Sequence, residues 1–169
     1  WAGALDQRYA VQTIYVQHGT ATQTNGYPSG KGGVEVIDVE SLIFSQVAEA
    51  LRVAFPGIFV SGEYVDTPAK FPAVTIVESD NAVVQRMRTT NIENAVTLMY
   101  EVNVYTNTVG YKKSEAKDIM EAVDGEFSKL GFARTMCNPF SNVSDATIYR
   151  MVARYTATVG KDFWVYRAE

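Results

Sequence analysis

The fold is decided by one ten-residue stretch, VTLMYEVNVY at residues 96–105. Every second residue from Val96 onward is apolar or aromatic, whereas the residues between them are Thr, Met, Glu, Asn and Tyr. Because side chains of a β-strand alternate between the two faces of a sheet, this pattern predicts a long strand with one buried face. The second face is too apolar for simple exposure. We therefore expect it to be covered either by helices on both sides of the sheet or by a partner chain.

Further strands are predicted on both sides of this stretch. A second long alternating run predicts a strand at residues 147–159. Shorter strands are expected at residues 58–60, 73–77, 132–135 and 163–166, and a loop at residues 138–142. The polar segment 78–94 is ambiguous, because residues 83–88 alternate weakly and are compatible with a short strand.

Two stretches carry apolar residues at three- and four-residue spacing, which is the pattern of a helix with one buried stripe. The first predicts a helix at residues 38–55 with Asp38 as its N-cap, and the second a helix at residues 114–130 with Ser114 as its N-cap and Gly131 just after its last turn. Gly125, inside the second helix, costs about 1 kcal/mol relative to Ala, so we expect a tertiary contact there. Together these patterns predict an α+β fold, in which two main helices pack on one antiparallel or mixed sheet of four to six strands.

The chain divides near residue 35. Residues 1–35 contain one apolar run, AVQTIYV at residues 10–16, followed by a stretch rich in Gly, Thr, Ser and Asn. Such a composition does not bury enough apolar surface to order itself, so it predicts an extended, flexible arm or linker. The arm is either a foreign extension or a segment that orders on a partner. Residues 36–169 are predicted to form a single α+β domain.

Composition argues against most catalytic and metal-binding classes. The 169 residues include one His and one Cys, which excludes an intrachain disulfide and a zinc site built from several such ligands. His18 lies beside the flexible stretch and is interpreted as a solvated side chain. Cys137 has Arg134 as its only basic neighbour in sequence and is interpreted as an inert thiol.

The remaining catalytic patterns are also weak. The carboxylate pairs Glu115/Asp118 and Glu121/Asp124 share a predicted helix with several lysines, which is typical of a solvated face rather than of an acid–base pair. No phosphate-binding loop, dinucleotide-binding or metalloprotease motif occurs. The sequence therefore predicts a protein that is not an enzyme and binds no cofactor and no metal.

Charge and hydropathy exclude further classes. Fifteen Lys and Arg against nineteen Asp and Glu give a net charge of −4, whereas nucleic-acid-binding domains usually carry a basic excess. The longest apolar runs are far shorter than the roughly 18 residues needed to span a bilayer, so no membrane association is predicted. The first residues also lack the basic and apolar regions of a signal peptide.

Interface residues can be proposed from residue type and position. Tyr and Met are enriched in the cores of protein interfaces. Arg150 and Arg154 share one face of a predicted strand, where they either cap a solvated face or serve as inter-subunit or lumen charges. The predicted interface residues are Met99, Tyr105, Arg86, Arg88, Arg150 and Arg154.

An ordered set of motifs resembles a known family. In chain order the motifs are AFPG at 54–57, FPAVTIVE at 71–78, ENA at 93–95, YEVNVY at 100–105, EA at 115–116, VD at 123–124, LGFAR at 130–134 and YRMVARY at 149–155. In this order residues 36–169 resemble the tail terminator (tail completion) proteins of tailed bacteriophages, in the broad family of minor tail and neck proteins. Residues 1–35 have no counterpart in that pattern.

The resemblance implies a structural virion protein that caps the tail tube as a hexameric ring, ends tube growth and forms the head–tail joining interface. The implied partners are further copies of this chain, the tail tube protein and the head–tail connector or stopper protein. DNA would pass through the lumen without sequence-specific binding, and the acidic balance agrees with that by like-charge repulsion. The implied location is the tail or neck of the virion, after assembly in the host cytoplasm. The alternatives are a head-completion or connector adaptor protein of the neck and a small α+β ligand-binding domain or enzyme.

Overall fold

The computed structural model describes residues 36–90, 92–142, 145–163 and 165–166, and the predicted arm at residues 1–35 lies outside the described residues. The described residues form two α-helices, six strands and one short 3-10 helix. In chain order these are α1 Glu40–Ala54, β1 Phe59–Ser61, β2 Ala73–Val83, the 3-10 helix Gln85–Met87, β3 Ala95–Thr106, α2 Lys112–Lys129, β4 Ala133–Ser141, β5 Tyr149–Gly160 and β6 Val165–Tyr166.

The six strands belong to one mixed sheet. Its strand order is β1-β2-β3-β5-β4, and β6 pairs with the end of β5. The pair β1–β2 is parallel, whereas the other pairs are antiparallel. Strands β3 and β5 pair from Ala95 opposite Gly160 to Thr106 opposite Tyr149 without a bulge. The predicted α+β fold, with two main helices on a mixed sheet of four to six strands, is confirmed.

Both helices pack on one face of the sheet, called here the helix face. One cluster of buried residues joins the apolar stripes of α1 and α2 to the alternate residues of β3 that begin with Val96. The opposite face, called here the open face, carries the intervening residues of β3 and the residues paired with them. A smaller buried cluster on that face contains Ala73, Tyr105 and Ile148 and no described helix residue. Helices on both faces are therefore excluded for the described part of the chain.

An aromatic cluster fixes α2 on the helix face. Phe127 stacks on Tyr155 of β5, with ring centroids 4.3 Å apart and ring planes 8° apart. Phe132 lies edge-on to Phe127 at 5.6 Å and to Tyr100 at 5.5 Å. All four rings are buried. Because rings of this size each bury about 150–250 Å², the cluster is a main source of packing between α2 and the sheet.

The end of α2 agrees with the prediction for Gly131, whose φ is +86°. The Gly131 N–H donates to the carbonyl of Ser128 at 3.0 Å, and the Phe132 N–H donates to the carbonyl of Phe127 at 2.9 Å. These two bonds form a Schellman motif, which a left-handed residue closes. The turn brings Phe132 against Phe127, so the helix end and the aromatic cluster depend on each other.

The start of α1 differs from the prediction by one residue. The N-cap position is occupied by Val39 rather than Asp38, and Val39 makes no side-chain cap. Asp38 Oδ1 instead accepts a hydrogen bond from the Glu40 N–H at 3.0 Å. Asp38 therefore still satisfies one of the first N–H groups of the helix, from the position before the N-cap, while Val39 is buried in the core.

The start of α2 also differs from the prediction. The helix begins at Lys112 with Tyr111 at its N-cap position, and the hydroxyl of Ser114 donates to the Tyr111 carbonyl at 3.0 Å. The buried Thr106 hydroxyl, at the end of β3, donates to the Lys112 carbonyl at 2.7 Å. This hydrogen bond to the end of β3 holds the first turn of α2 in place, so the helix begins before Ser114, the predicted N-cap.

Two strands are longer than predicted. β2 continues past Val77 to Val83, because its second half pairs along β3 after a bulge between Glu78 and Asp80. β4 continues to Ser141, so the loop predicted at residues 138–142 is wrong. β4 contains Pro139, which is tolerated because β4 is an outer strand and needs N–H donors on one side only.

Gly125 does not have the tertiary contact that we expected. It is exposed on α2, and a Cβ built there would have no heavy atom within 4 Å. That expectation is therefore wrong for the described residues, and Gly125 simply weakens the helix.

We expect Gly125→Ala to raise the free energy of unfolding by about 0.5–1 kcal/mol, because alanine loses less backbone entropy in a helix than glycine. Gly57→Ala is the matched control. A Cβ at Gly57 is equally free of neighbours, but its φ of +89° disfavours an L-residue by roughly 1–2 kcal/mol. Urea denaturation at neutral pH measures both variants. A destabilised Gly125→Ala would contradict the expectation.

Candidate interaction surface on the open face of the sheet

The described residues bring no metal-binding set together. Among them, no group of three or more His, Cys, Asp and Glu side chains is arranged to hold a metal ion. Cys137 is partly buried, and burial raises the pKa of its thiol, which favours the less nucleophilic protonated form. Asp124 forms an ion pair with Arg134 at 3.3 Å. His18 lies outside the described residues.

The open face carries a line of polar groups that runs from β5 to β3. The Arg150 guanidinium donates from Nε and Nη2 to Asn103 Oδ1, at 3.0 and 2.7 Å. Its Cζ lies 5.6 Å from the ring centroids of both Tyr64 and Tyr105. Asn103 is fully buried and donates from Nδ2 to Glu101 Oε1 at 3.4 Å. A planar guanidinium suits this position because it can contact aromatic rings and donate in its own plane at the same time.

Arg154 extends this line by one row. Its Nε and Nη2 donate to Glu101 Oε2 at 3.0 and 2.9 Å. The side chains of Arg154 and Glu101 are 47% and 20% exposed, and an ion pair so exposed contributes about 0–1 kcal/mol. Both arginines therefore have partners in their own chain, which agrees with the interpretation that they cap a sheet face.

Tyr105, a predicted interface residue, is buried by its own chain. It is fully buried in the cluster with Ala73 and Ile148, and Phe71 packs against that cluster. The connection between β1 and β2, which carries both Phe71 and Tyr64, thus reaches over this end of the open face. In the single chain the Tyr105 ring is therefore covered, and it lies 5.6 Å from the Arg150 guanidinium carbon.

Two hydroxyls under this line have no hydrogen-bond partner among the described residues, Tyr105 Oη and Thr75 Oγ1. Both side chains are fully buried. Burial raises the pKa of Tyr105 to about 12, and the positive charge of Arg150 opposes that shift. The Thr75 hydroxyl is near enough to lower the pKa of Tyr105 as well, but its geometry falls short of a hydrogen bond.

Tyr100, on the helix face of the same strand, has the partner that Tyr105 lacks. Its hydroxyl donates to Glu78 Oε2 at 2.8 Å, and Glu78 Oε1 accepts from Asn81 Nδ2 at 3.2 Å. Burial raises the pKa of the Glu78 carboxyl and the pKa of Tyr100. The two buried tyrosines of β3 thus form a natural pair for comparison.

Less polar side chains flank the Arg154–Glu101 ion pair and continue into the rows beyond it. Half-buried side chains from four strands form what we call the threonine–methionine patch: Val77, Thr97, Met99, Met136, Thr156 and Thr158. Met99 lies within this patch, between Asp80 on β2 and Thr156 on β5. A shallow cleft of about 360 Å³ borders the patch between the start of β4 and β6. No described helix packs on the patch.

Arg86 and Arg88 are not brought to the polar line. They lie in residues 84–94, the connection between β2 and β3, called here the hairpin tip. The tip begins where the pairing of β3 with β5 ends, at Ala95, whereas Arg150 lies near the other end of that pairing. Both tip arginines are exposed, and neither forms an ion pair with a described residue.

Sequence reasoning missed three members of the polar line. The alternation of β3 places Glu101 and Asn103 on the same face as Tyr105, so the signal for these two was present. Tyr64 lies in an irregular connection, where no periodic pattern relates it to Arg150. Only the three-dimensional path of that connection brings its ring to the guanidinium.

Comparisons with known proteins leave the family open. No known family model matches the chain, and no curated protein sequence is significantly similar to it. The family implied by the motif order therefore stays a prediction. Neither described helix is long and apolar enough to cross a membrane.

We expect Arg150→Lys to lower the free energy of unfolding by about 1–2 kcal/mol, because lysine cannot donate two in-plane bonds and leaves the buried Asn103 oxygen poorly paired. Arg154→Lys, on the same face but more exposed, should cost less than about 1 kcal/mol. Urea denaturation at pH 7 measures both losses. A larger loss of stability for Arg154→Lys than for Arg150→Lys would contradict the inference that Arg150 contributes more to the free energy of unfolding.

The two buried tyrosines should respond differently to removal of the hydroxyl. At pH 7 we expect Tyr100→Phe to cost about 1 kcal/mol, since it loses the bond to Glu78, and Tyr105→Phe to be neutral or stabilising. Above pH 10 the unfolded chain loses the Tyr105 proton while the folded chain keeps it up to about pH 12. Stability from this group is therefore fully present below pH 10 and is lost as the pH rises to 12.

Tyr105→Phe should reduce that alkaline loss by up to about 1.4 kcal/mol per pH unit. Denaturant unfolding of parent and variant at several pH values between 7 and 12 gives the two slopes. Parallel slopes above pH 10 would contradict the assigned pKa.

Proposed function

We propose that this chain is a structural virion protein that caps a bacteriophage tail tube as a hexameric ring. In this role it ends tube growth and joins the tail to the head connector or stopper protein, in the tail or neck of the virion. The tail tube protein is its second partner, and DNA passes through the lumen. The proposal includes no catalytic activity and no cofactor. It rests on the ordered motifs in residues 36–169 together with one feature of the fold, the threonine–methionine patch.

The patch supports the proposal because it is a surface suited to another chain. Half-buried apolar and hydroxyl side chains lie on a sheet face that no described helix covers. Methionine is enriched in interface cores, and contiguous apolar surface on a soluble protein often marks a contact site. A patch on one face that contacts a different surface of the next copy makes a heterologous contact, and such a contact closes into a ring when its rotation permits.

The sheet edge is less suited to that contact. β4 is an outer strand, and an unpaired edge normally invites strand addition. It contains Pro139, which supplies no N–H, and a register shift between Arg134 and Met136. Prolines and bulges are common means of protecting edges from pairing. We therefore expect the face of the sheet, rather than the β4 edge, to carry the subunit contact.

The oligomeric state tests the proposal. Native mass spectrometry and particle imaging of the full chain should show a closed ring, with a hexamer as the main species. Met99→Glu places a charge in the patch and should abolish the ring. Ser45→Glu, on the exposed side of α1, is the matched control and should leave it intact. A chain that stays monomeric at high concentration, or a ring unaffected by Met99→Glu in a variant that urea denaturation shows to be folded, would count against the proposal.

A further inference from the structure

We propose that the hairpin tip binds the sugar–phosphate backbone of duplex DNA without sequence preference. The inference rests on the proposed function, because a ring at the end of a tail tube surrounds the path of the DNA. It goes beyond that function by assigning the contact to Arg86 and Arg88.

The charge of the tip is opposite to that of the whole chain. The chain has a net charge of −4, whereas the hairpin tip contains Arg86, Arg88 and one acidic residue, Glu93, and is therefore net positive. Arg86 and Arg88 are exposed, and neither has an ion-pair partner among the described residues. They differ in this from Arg154, whose charge is neutralised by Glu101. Phosphate contacts by such free cations supply most non-specific affinity for DNA.

Hydrogen bonds hold residues 85–89, the part of the tip that carries both arginines, in a defined shape. Asn94 Nδ2 donates to the Met87 carbonyl at 2.7 Å and to Thr89 Oγ1 at 3.0 Å. The 3-10 turn that carries Arg86 adds a bond from the Arg88 N–H to the Gln85 carbonyl at 3.2 Å. A preorganised backbone reduces the entropy lost when the arginine side chains engage a ligand.

A third cation lies at the base of the tip. The backbone N–H of Lys161 donates to the Asn94 carbonyl at 3.1 Å, and Lys161 is exposed. The residue that shapes the tip therefore also anchors Lys161 beside it. Lys161 thus lies at the base of the tip, in the turn after β5, where the acidic Asp162 follows it.

The side chains of the tip favour phosphate over an acidic protein surface. Most protein bonds to phosphate come from Arg and Lys, together with Ser, Thr, Asn and Gln, and the tip offers Gln85, Thr89 and Thr90 beside its arginines. Protein interfaces instead need an apolar, often aromatic, centre. Among the described residues of the tip, Ile92 is the one large apolar side chain that is exposed.

Binding of the full chain to a short fluorescein-labelled DNA duplex, followed by fluorescence anisotropy over a range of salt concentrations, tests the proposal. We expect the double variant Arg86→Ala/Arg88→Ala to bind at least about tenfold more weakly at low salt, and its slope of log K against log salt to be smaller by about 2. The matched control is Lys113→Ala/Lys117→Ala, which removes two exposed cations from α2 and should change the affinity less than about twofold.

Three outcomes would overturn the inference. The parent chain could fail to bind the duplex at low salt. The lysine control could lose as much affinity as the tip variant, which would assign binding to overall charge. The parent could bind poly-L-glutamate rather than DNA through the tip, which would identify an acidic protein as its partner.

The experiment also separates this inference from the proposed ring. Native mass spectrometry of the same preparations reports assembly independently of DNA binding. A ring that does not bind the duplex rejects the tip contact alone. A monomer that binds the duplex through Arg86 and Arg88 rejects the ring but keeps the tip contact.

Discussion

The unbroken pairing of β3 with β5 is the constraint on which the rest of the structure depends. Twelve residue pairs hold the two strands in one register, so every side chain on one strand has a fixed neighbour on the other. On the helix face this register places Tyr100 opposite Tyr155, where Phe127 of α2 contacts both rings. On the open face the same register places Arg150 opposite Tyr105. A one-residue slip would exchange the two faces and lose both arrangements at once.

Periodicity was enough to predict the fold class: the alternation of residues 96–105 predicted the buried face of β3, and three- and four-residue spacing elsewhere in the chain predicted both helices. It worked because period-two and helical patterns report directly on which side chains are buried. The errors in element boundaries lie where tertiary contacts override local preference, whereas the error at Gly125 is the reverse, because the expected tertiary contact is absent. The bond from Thr106 to Lys112 starts α2 early, pairing with β3 extends β2, and pairing with β5 draws Pro139 into a strand.

The polar line on the open face was only partly predictable for a similar reason. Periodicity shows that Arg150 and Arg154 share a face, but it does not show what faces them. Arg150 has a fully buried amide and two aromatic rings as neighbours, whereas Arg154 pairs with one carboxylate, Glu101, and its own side chain is 47% exposed. The two arginines occupy equivalent positions in the strand pattern but contribute differently to the free energy of unfolding. The difference arises because desolvation of the Arg150 side chain depends on the irregular connection that carries Tyr64.

These differences divide the open face into three zones along β3. At one end the chain covers its own surface, where Tyr64 and Phe71 lie over Arg150 and Tyr105. The middle, around Met99, is semi-apolar and free of helices, and the far end leads into the basic hairpin tip. In a cyclic ring every subunit has the same orientation relative to the axis. A contact made through the middle zone would therefore place all the tips at one level, and each subunit would add Arg86 and Arg88 to a single positive belt in an otherwise acidic assembly.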